Sequence, residues 1–127
     1  MAARPGTTPL ERLRRTCLAL PGAWEKTSHG EPTFWVAKKM FAMFANAENH
    51  HGSGRHAVWC KSSPMTQSLL VGRTPDRYFV PPYVGPSGWV GIFLDRSPDW
   101  TDVTERLRDA YRLVAPKKAL ALLDATR

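Results

Sequence analysis

Apolar and polar positions alternate along this chain in two periods, and the switches between them mark out the elements. At the start, Leu10, Leu13, Cys17 and Leu20 recur at helical spacing. Thr8, Pro9 and Glu11 supply an N-cap, a proline at the first helical position and a capping box, and Pro21-Gly22 ends the segment. The pattern then shortens. Trp24 to Ser28 reads as a short strand. Thr33 to Ala37 and Met40 to Ala45 are aromatic–apolar runs on either side of Lys38-Lys39, which predicts a hairpin with a charged tip and with Phe34 and Phe41 facing a core. After the polar stretch His50 to Gly54, Arg55 to Lys61 predicts another strand. It places Ala57 and Trp59 on one face and His56, Val58 and Cys60 on the other.

Ser63-Pro64 opens a short helix, with Gly72 closing it and Met65, Leu69 and Leu70 as its expected buried side. Residues 73–87 are rich in Pro and Gly and read as turns. Gly88 to Asp95 is apolar on both faces: Trp89, Gly91 and Phe93 on one, Val90, Ile92 and Leu94 on the other. That pattern predicts a central strand. Thr101 is the expected cap of a second long helix with a stripe of Val103, Leu107, Ala110 and Val114. Pro116 breaks it and starts a last helix that buries Ala119, Leu120 and Leu123. Strands grouped together and joined by short turns predict an α+β domain: an antiparallel sheet with helices packed on one face.

At 127 residues the chain is sized for one domain, with residues 1–7 expected as a disordered leader and 8–125 as the folded unit. No apolar run approaches the roughly 20 residues of a membrane helix, and Met1 to Thr8 has no secretory h-region. The expected location is the cytoplasm. Two cysteines without paired spacing, Cys17 and Cys60, fall on apolar faces and read as buried thiols. The 18 basic residues against 11 acidic ones give a net charge of +7, which favours a polyanionic partner. No run of five or six like charges forms a basic tail.

The chain resembles the MmcQ/YjbR family of small bacterial proteins from about Leu10 to Lys118. The residues that carry the likeness stand in order. Leu18 to Glu25 matches the family's "LPG…E" helix exit. Gly30 to Val36 with Lys39 to Ala42 matches its hairpin. Gly88-Trp89-Val90 with Leu94-Asp95 matches a late strand, and Tyr111 to Lys118 matches the closing segment. Where many relatives have a glycine turn, this chain has Ala37-Lys38, and its middle helix is shorter than is typical. The resemblance implies a compact α+β fold with helices against a curved antiparallel sheet. Relatives carry a DNA-binding label, which derives from likeness to the "double wing" domain of a phage transcription factor.

Four chemistries compete for the functional residues. For nucleic acid, Lys38 and Lys39 at the hairpin tip, with Arg55, Lys61, Arg73 and Arg77, are the expected phosphate contacts. Trp35 and Trp59 stack on bases if their face of the sheet is open. No helix-turn-helix, zinc finger or RNP-like motif is present, so little sequence selectivity is expected. For metal, His50, His51, His56 and Cys60 are the nearest approach to a ligand set, but their spacing matches no zinc motif and no metal is expected. For catalysis, Glu25, His29 and Glu31 bracket one turn, no nucleophile or phosphate-loop motif occurs, and the expectation is a non-enzyme without a cofactor. For a protein or small ligand, Tyr78, Phe79, Tyr83 and Trp89 around Pro81-Pro82 form an aromatic, conformationally restricted segment.

Overall fold

The computed structural model describes residues 8–49, 51 and 54–125. Helix α1 spans Pro9–Leu18, and both halves of its capping box are made. Glu11 N–H donates to Thr8 Oγ1, and Thr8 N–H to the Glu11 carboxylate. Strands β1 (Ala23–Ser28), β2 (Glu31–Val36) and β3 (Lys39–Ala45) follow as a meander. Next come β4 (Ala57–Cys60), helix α2 (Pro64–Arg73), the two-residue strand β5 (Tyr78–Phe79) and β6 (Val90–Phe93). Helices α3 (Trp100–Val114) and α4 (Lys117–Ala125) complete the domain. The six strands form one antiparallel sheet in the order β1-β2-β3-β4-β6-β5.

The strand period sorts the side chains into two clusters. On one face Phe34, Val36, Phe41, Phe44, Val58 and Cys60, with Val90, Ile92 and Leu94, meet Leu13 and Cys17 of α1 and Val103, Leu107, Ala110 and Tyr111 of α3. Ala119 and Leu123 of α4 close the same core. Phe41 meets Tyr111 edge-to-face at 5.7 Å, and the Tyr111 hydroxyl donates to the carbonyl of Pro21, tying α3 to the exit of α1. The register slips by one residue after Phe34, so Phe34 opposes Ala42 while Trp35 opposes Met40. This bulge turns Phe41 and Ala42 into the same core. On the other face Met43, Ala45, Ala57, Trp59 and Trp89 form a second buried cluster that no helix covers, with Met40, Phe79, Val84 and Phe93 packed against it.

Several local expectations are corrected. The hairpin tip is Ala37-Lys38, since Val36 pairs with Lys39 and Lys39 already belongs to β3. Ala37 adopts φ 52, the left-handed conformation that a glycine adopts without strain, and its carbonyl accepts from Trp24 Nε1 at 2.9 Å. Helix α2 keeps one residue of its expected stripe: Leu70 packs against the core together with Val71, while Met65 and Leu69 are exposed. Gln67 fixes this orientation by donating to the carbonyls of Gly85 and Trp89 at 2.8 and 2.6 Å. Gly72 lies inside α2, which is capped by Thr74. The cap of α3 is Asp99, whose carboxylate accepts from Thr101 and Asp102 N–H, so Thr101 is the second residue of the helix. β6 is flanked by the short edge strand β5 and is apolar on both faces because each face carries its own cluster. The 1–7 leader lies outside the described residues. Among the described residues no helix is long and apolar enough to cross a membrane.

Candidate functional site

One end of the sheet and its helix-free face hold two distinct features, and strand register places both. The first is an accumulation of lysines at the end where β1 and β3 begin and β2 and β4 finish. Lys38 and Lys39 sit at the β2–β3 turn and are exposed. Lys61 follows β4, and its N–H donates to the carbonyl of Phe41, which brings it beside the start of β3. Lys26, on β1, lays its ammonium 4.3 Å from the centre of the Trp35 ring, and Trp35 stacks on Trp24 at 5.4 Å. The ammonium of Lys61 lies 6.0 Å from the Trp89 ring. Among the described residues, the ion pairs use arginines and one histidine, and none uses these four lysines.

The expected arginines are elsewhere. Arg55 precedes β4 at the opposite end of the sheet and makes a two-pronged pair with Asp95, at 2.8 and 2.7 Å, with its guanidinium over Phe93. That hydrogen-bonded pair holds the Asp95 carboxyl below its usual range and raises Arg55 further. Arg77 precedes β5 at the same end and lies 3.9 Å from Asp99. Arg73 is exposed at the last turn of α2. Of the six expected phosphate contacts, Lys38, Lys39 and Lys61 lie at the lysine end, Arg55 and Arg77 lie at the other end beside Asp95 and Asp99, and Arg73 stands apart on α2 with no ion pair among the described residues.

The second feature is a pocket of about 610 Å³. Its floor is Met40, Met43, Trp59 and Trp89, contributed by β3, β4 and the residue before β6. His29 from the β1–β2 turn, His51, and Tyr83 with Val84 from the loop after β5 form its rim. Trp59 is 2% exposed, and among the described residues its buried Nε1 has no hydrogen-bond acceptor. His51 meets Trp59 edge-to-face at 5.7 Å, and its Nδ1 is 3.4 Å from the carboxylate of the fully buried Glu31. The N–H of Asn46 also donates to the Glu31 carboxylate, at 3.0 Å. Two rim residues hold left-handed backbone conformations: His29 (φ 54), which with Gly30 (φ 81) makes the two-residue turn that the β1–β2 hairpin favours, and Tyr83 (φ 64) in the loop after β5.

The remaining expected residues separate. Of the aromatic segment, Tyr83 and Trp89 reach the pocket. Tyr78 is in the helix-side core with its hydroxyl donating to Asp102, and Phe79 stacks on Phe93 at 4.6 Å. Trp35 and Trp59 share the open face, as Trp59 at its floor and Trp35 nearer the β1 edge. Glu25 is paired with Arg14 of α1, at 2.7 and 2.8 Å, on the face away from His29 and Glu31, so the three do not share a cleft. His56 Nδ1 accepts from Ala47 N–H at 2.9 Å and its ring stacks on Phe44, while His51 meets Trp59 on the opposite face. His50 lies outside the described residues. Cys17 and Cys60 are buried and free in the helix-side core. Burial pushes both thiols up, Cys60 to about 12.

Sequence reasoning missed Lys26 and most of the pocket. The signal for Lys26 is its alternation with Trp24 on β1, opposite Trp35. His29, Met40 and Met43 are ordinary strand and turn residues, and only the register brings them beside Trp59 and Trp89.

An antiparallel six-stranded sheet with helices on one face and a partly open second face defines the class: a single α+β domain. The chain belongs to the YjbR family, whose model matches residues 18–113. A Deinococcus radiodurans protein, DR2400, with a DUF419 domain, has a similar crystal structure. The TM-score is 0.71 at 22% sequence identity, over 87% of this chain and 83% of that one. At that identity the likeness shows the fold alone. No curated protein matches the chain.

Proposed function

We propose that the chain is a non-enzymatic cytoplasmic DNA-binding protein that holds the phosphate backbone at the lysine end of its sheet, with little sequence selectivity. One observation carries this: Lys38, Lys39 and Lys61 lie at one end of the sheet, Lys26 lays its ammonium on Trp35 from the middle of β1, and among the described residues none of the four is ion-paired. A cation already paired to a carboxylate gains little from a phosphate, because the pair must first be broken. Arg55 is in that position through its two hydrogen bonds to Asp95, and Arg77, 3.9 Å from a half-exposed Asp99, is so more weakly, so both rank behind the lysines, and Lys26 joins the contact set. The net charge of +7 gives the long-range attraction, and release of counterions from DNA supplies the affinity. The separation of Glu25 from His29 and Glu31 supports a role without covalent chemistry. Helix α2 carries Arg73 as its one basic residue, so it is not offered as a base-reading helix.

The test is a titration with duplex DNA, single-stranded DNA and RNA, each at about 50 and 200 mM salt. Binding at the lower salt that weakens by orders of magnitude at the higher is expected for several phosphate contacts. Absence of binding to duplex DNA at about 50 mM salt overturns the proposal.

A further inference from the structure

We propose that the DNA held by these lysines is single-stranded, and that one unpaired base stacks on the outward face of the Trp24 indole. This rests on the phosphate-binding reading and names the form of DNA that the site takes.

Strand register builds the platform. Trp24 and Trp35 oppose each other on β1 and β2 and stack at 5.4 Å, with 20° between their planes. Each indole N–H is already bonded, Trp24 Nε1 to the carbonyl of Ala37 at 2.9 Å and Trp35 Nε1 to Thr33 Oγ1 at 2.8 Å. Both rings are therefore fixed in orientation before a ligand arrives. The Lys26 ammonium lies 4.3 Å from the Trp35 ring and 5.7 Å from the Trp24 ring. With the rings 5.4 Å apart, these distances put Lys26 on the Trp35 side of Trp24. The other side of Trp24 faces off the sheet, because β1 is an edge strand. Trp24 keeps 38% of its surface accessible although one ring face and the N–H edge are engaged.

The surroundings select the partner. The bond to Ala37 sets the Trp24 ring against the β2–β3 turn, where Lys38 and Lys39 are exposed. Strands β1 to β3 carry two carboxylates, and neither meets this surface. Glu25 is paired with Arg14 of α1, and Glu31 is fully buried at the opposite end of β2. An exposed ring bordered by Lys26, Lys38 and Lys39 fits a strand that alternates flat bases with phosphates. A duplex offers the phosphates but keeps its base faces stacked on one another, so it engages the lysines alone. An apolar protein segment would cover the ring and leave three cations without counter-charges.

The experiment compares a short oligothymidylate, an abasic strand of the same length and charge, and duplex DNA, by fluorescence anisotropy at several salt concentrations from about 50 mM. The proteins are wild type, Trp24→Phe and Trp24→Ala, with thermal melts to verify folding. The wild type is expected to bind oligothymidylate at least about fivefold tighter than the abasic strand, the contribution of one stacked base. Trp24→Phe, which keeps a ring, should retain most of that preference, and Trp24→Ala should bind the two strands alike. Stacking releases no counterions, so the salt slope should be the same in all three proteins, and duplex affinity should not change in Trp24→Ala. Equal affinity of the wild type for oligothymidylate and the abasic strand overturns the proposal, a comparison that needs no variant. So does a preference that survives in folded Trp24→Ala. In both cases salt-sensitive binding of the abasic strand and the duplex leaves the phosphate reading standing, whereas absence of binding to all three probes sinks that reading and this proposal together.

Discussion

Gly91 in β6 is the most exacting position on the open face. Its strand partner is Phe79 of β5, whose ring lies across it and stacks on Phe93. A Cβ added to Gly91 would come nearer than 3.0 Å to three atoms of that ring. Gly91→Ala therefore pits two effects against each other. Replacing a strand-interior glycine lowers the entropy lost on folding, a gain of about 0.5–1 kcal/mol. Forcing the ring aside costs about 1–3 kcal/mol as overpacking, and β5 is a two-residue edge strand with few other contacts to hold it. The expected net loss is about 1–2 kcal/mol. In a Phe79→Ala background nothing occupies the space, and the same substitution should become neutral or stabilising. Urea unfolding of the wild type, both single variants and the double variant gives the coupling energy directly. A coupling of about 1–3 kcal/mol is expected. Additivity within about 0.5 kcal/mol would refute the claim that Phe79 serves as the lid of Gly91, and would return Phe79 to the set of residues free to meet a ligand.

Three further outcomes follow from local geometry. Ala37→Gly relieves the left-handed residue at the hairpin tip and should stabilise the protein by up to about 1 kcal/mol, read by urea unfolding; destabilisation would mean the tip is not held at positive φ. Asp95 titrates below its usual range because Arg55 hydrogen-bonds to it. The pair's contribution is therefore present above the unfolded carboxyl value and is lost as pH falls through the lower folded one, so between pH 5 and 2, on the order of the ordinary carboxyl range, the wild type should lose stability more steeply than Asp95→Asn. The Cys60 thiol, pushed up to about 12 and buried like Cys17, should leave the native protein inert to an aromatic disulfide reagent at neutral pH, with both thiols titrating in urea; fast native reaction would place a thiol at the surface.

The elements that sequence made legible are those with several local signals agreeing. Helix α1 carries cap, proline, box and stripe within its first turns, and every one of them is made. The β2–β3 hairpin was legible from two apolar runs around a charged pair, but its bulge was not. A slip that moves both Phe41 and Ala42 into one core is decided by Tyr111 and the helix above, far along the chain. Helix α2 offers apolar residues on two sides, and the choice fell to Gln67 finding two carbonyls of the 85–89 segment, a contact no local pattern encodes. Asp99 and Thr101 are both capping residues, and the carboxylate won because it reaches two N–H groups. Strand β5 is two residues long and runs into Pro81-Pro82, too short for any period to register. The lysine end was partly visible in Lys38, Lys39 and Lys61. The neutralisation of Arg55 and Arg77 was not, since Asp95 and Asp99 approach them only after β4, β5 and β6 align.

The contrast between the unpaired Lys38, Lys39 and Lys61 and the carboxylate-flanked Arg55 and Arg77 is tested most directly by the salt dependence of duplex-DNA affinity. Wild type, Lys38→Gln/Lys39→Gln/Lys61→Gln and Arg55→Gln/Arg77→Gln would be measured side by side, with thermal melts to verify folding. Each phosphate released lowers the slope of log affinity against log salt by about 0.9. The lysine variant should therefore lose up to about 2.7 of slope, and the arginine variant should stay close to wild type. Equal slopes in wild type and the folded lysine variant, or a larger loss in the arginine variant, would contradict the account.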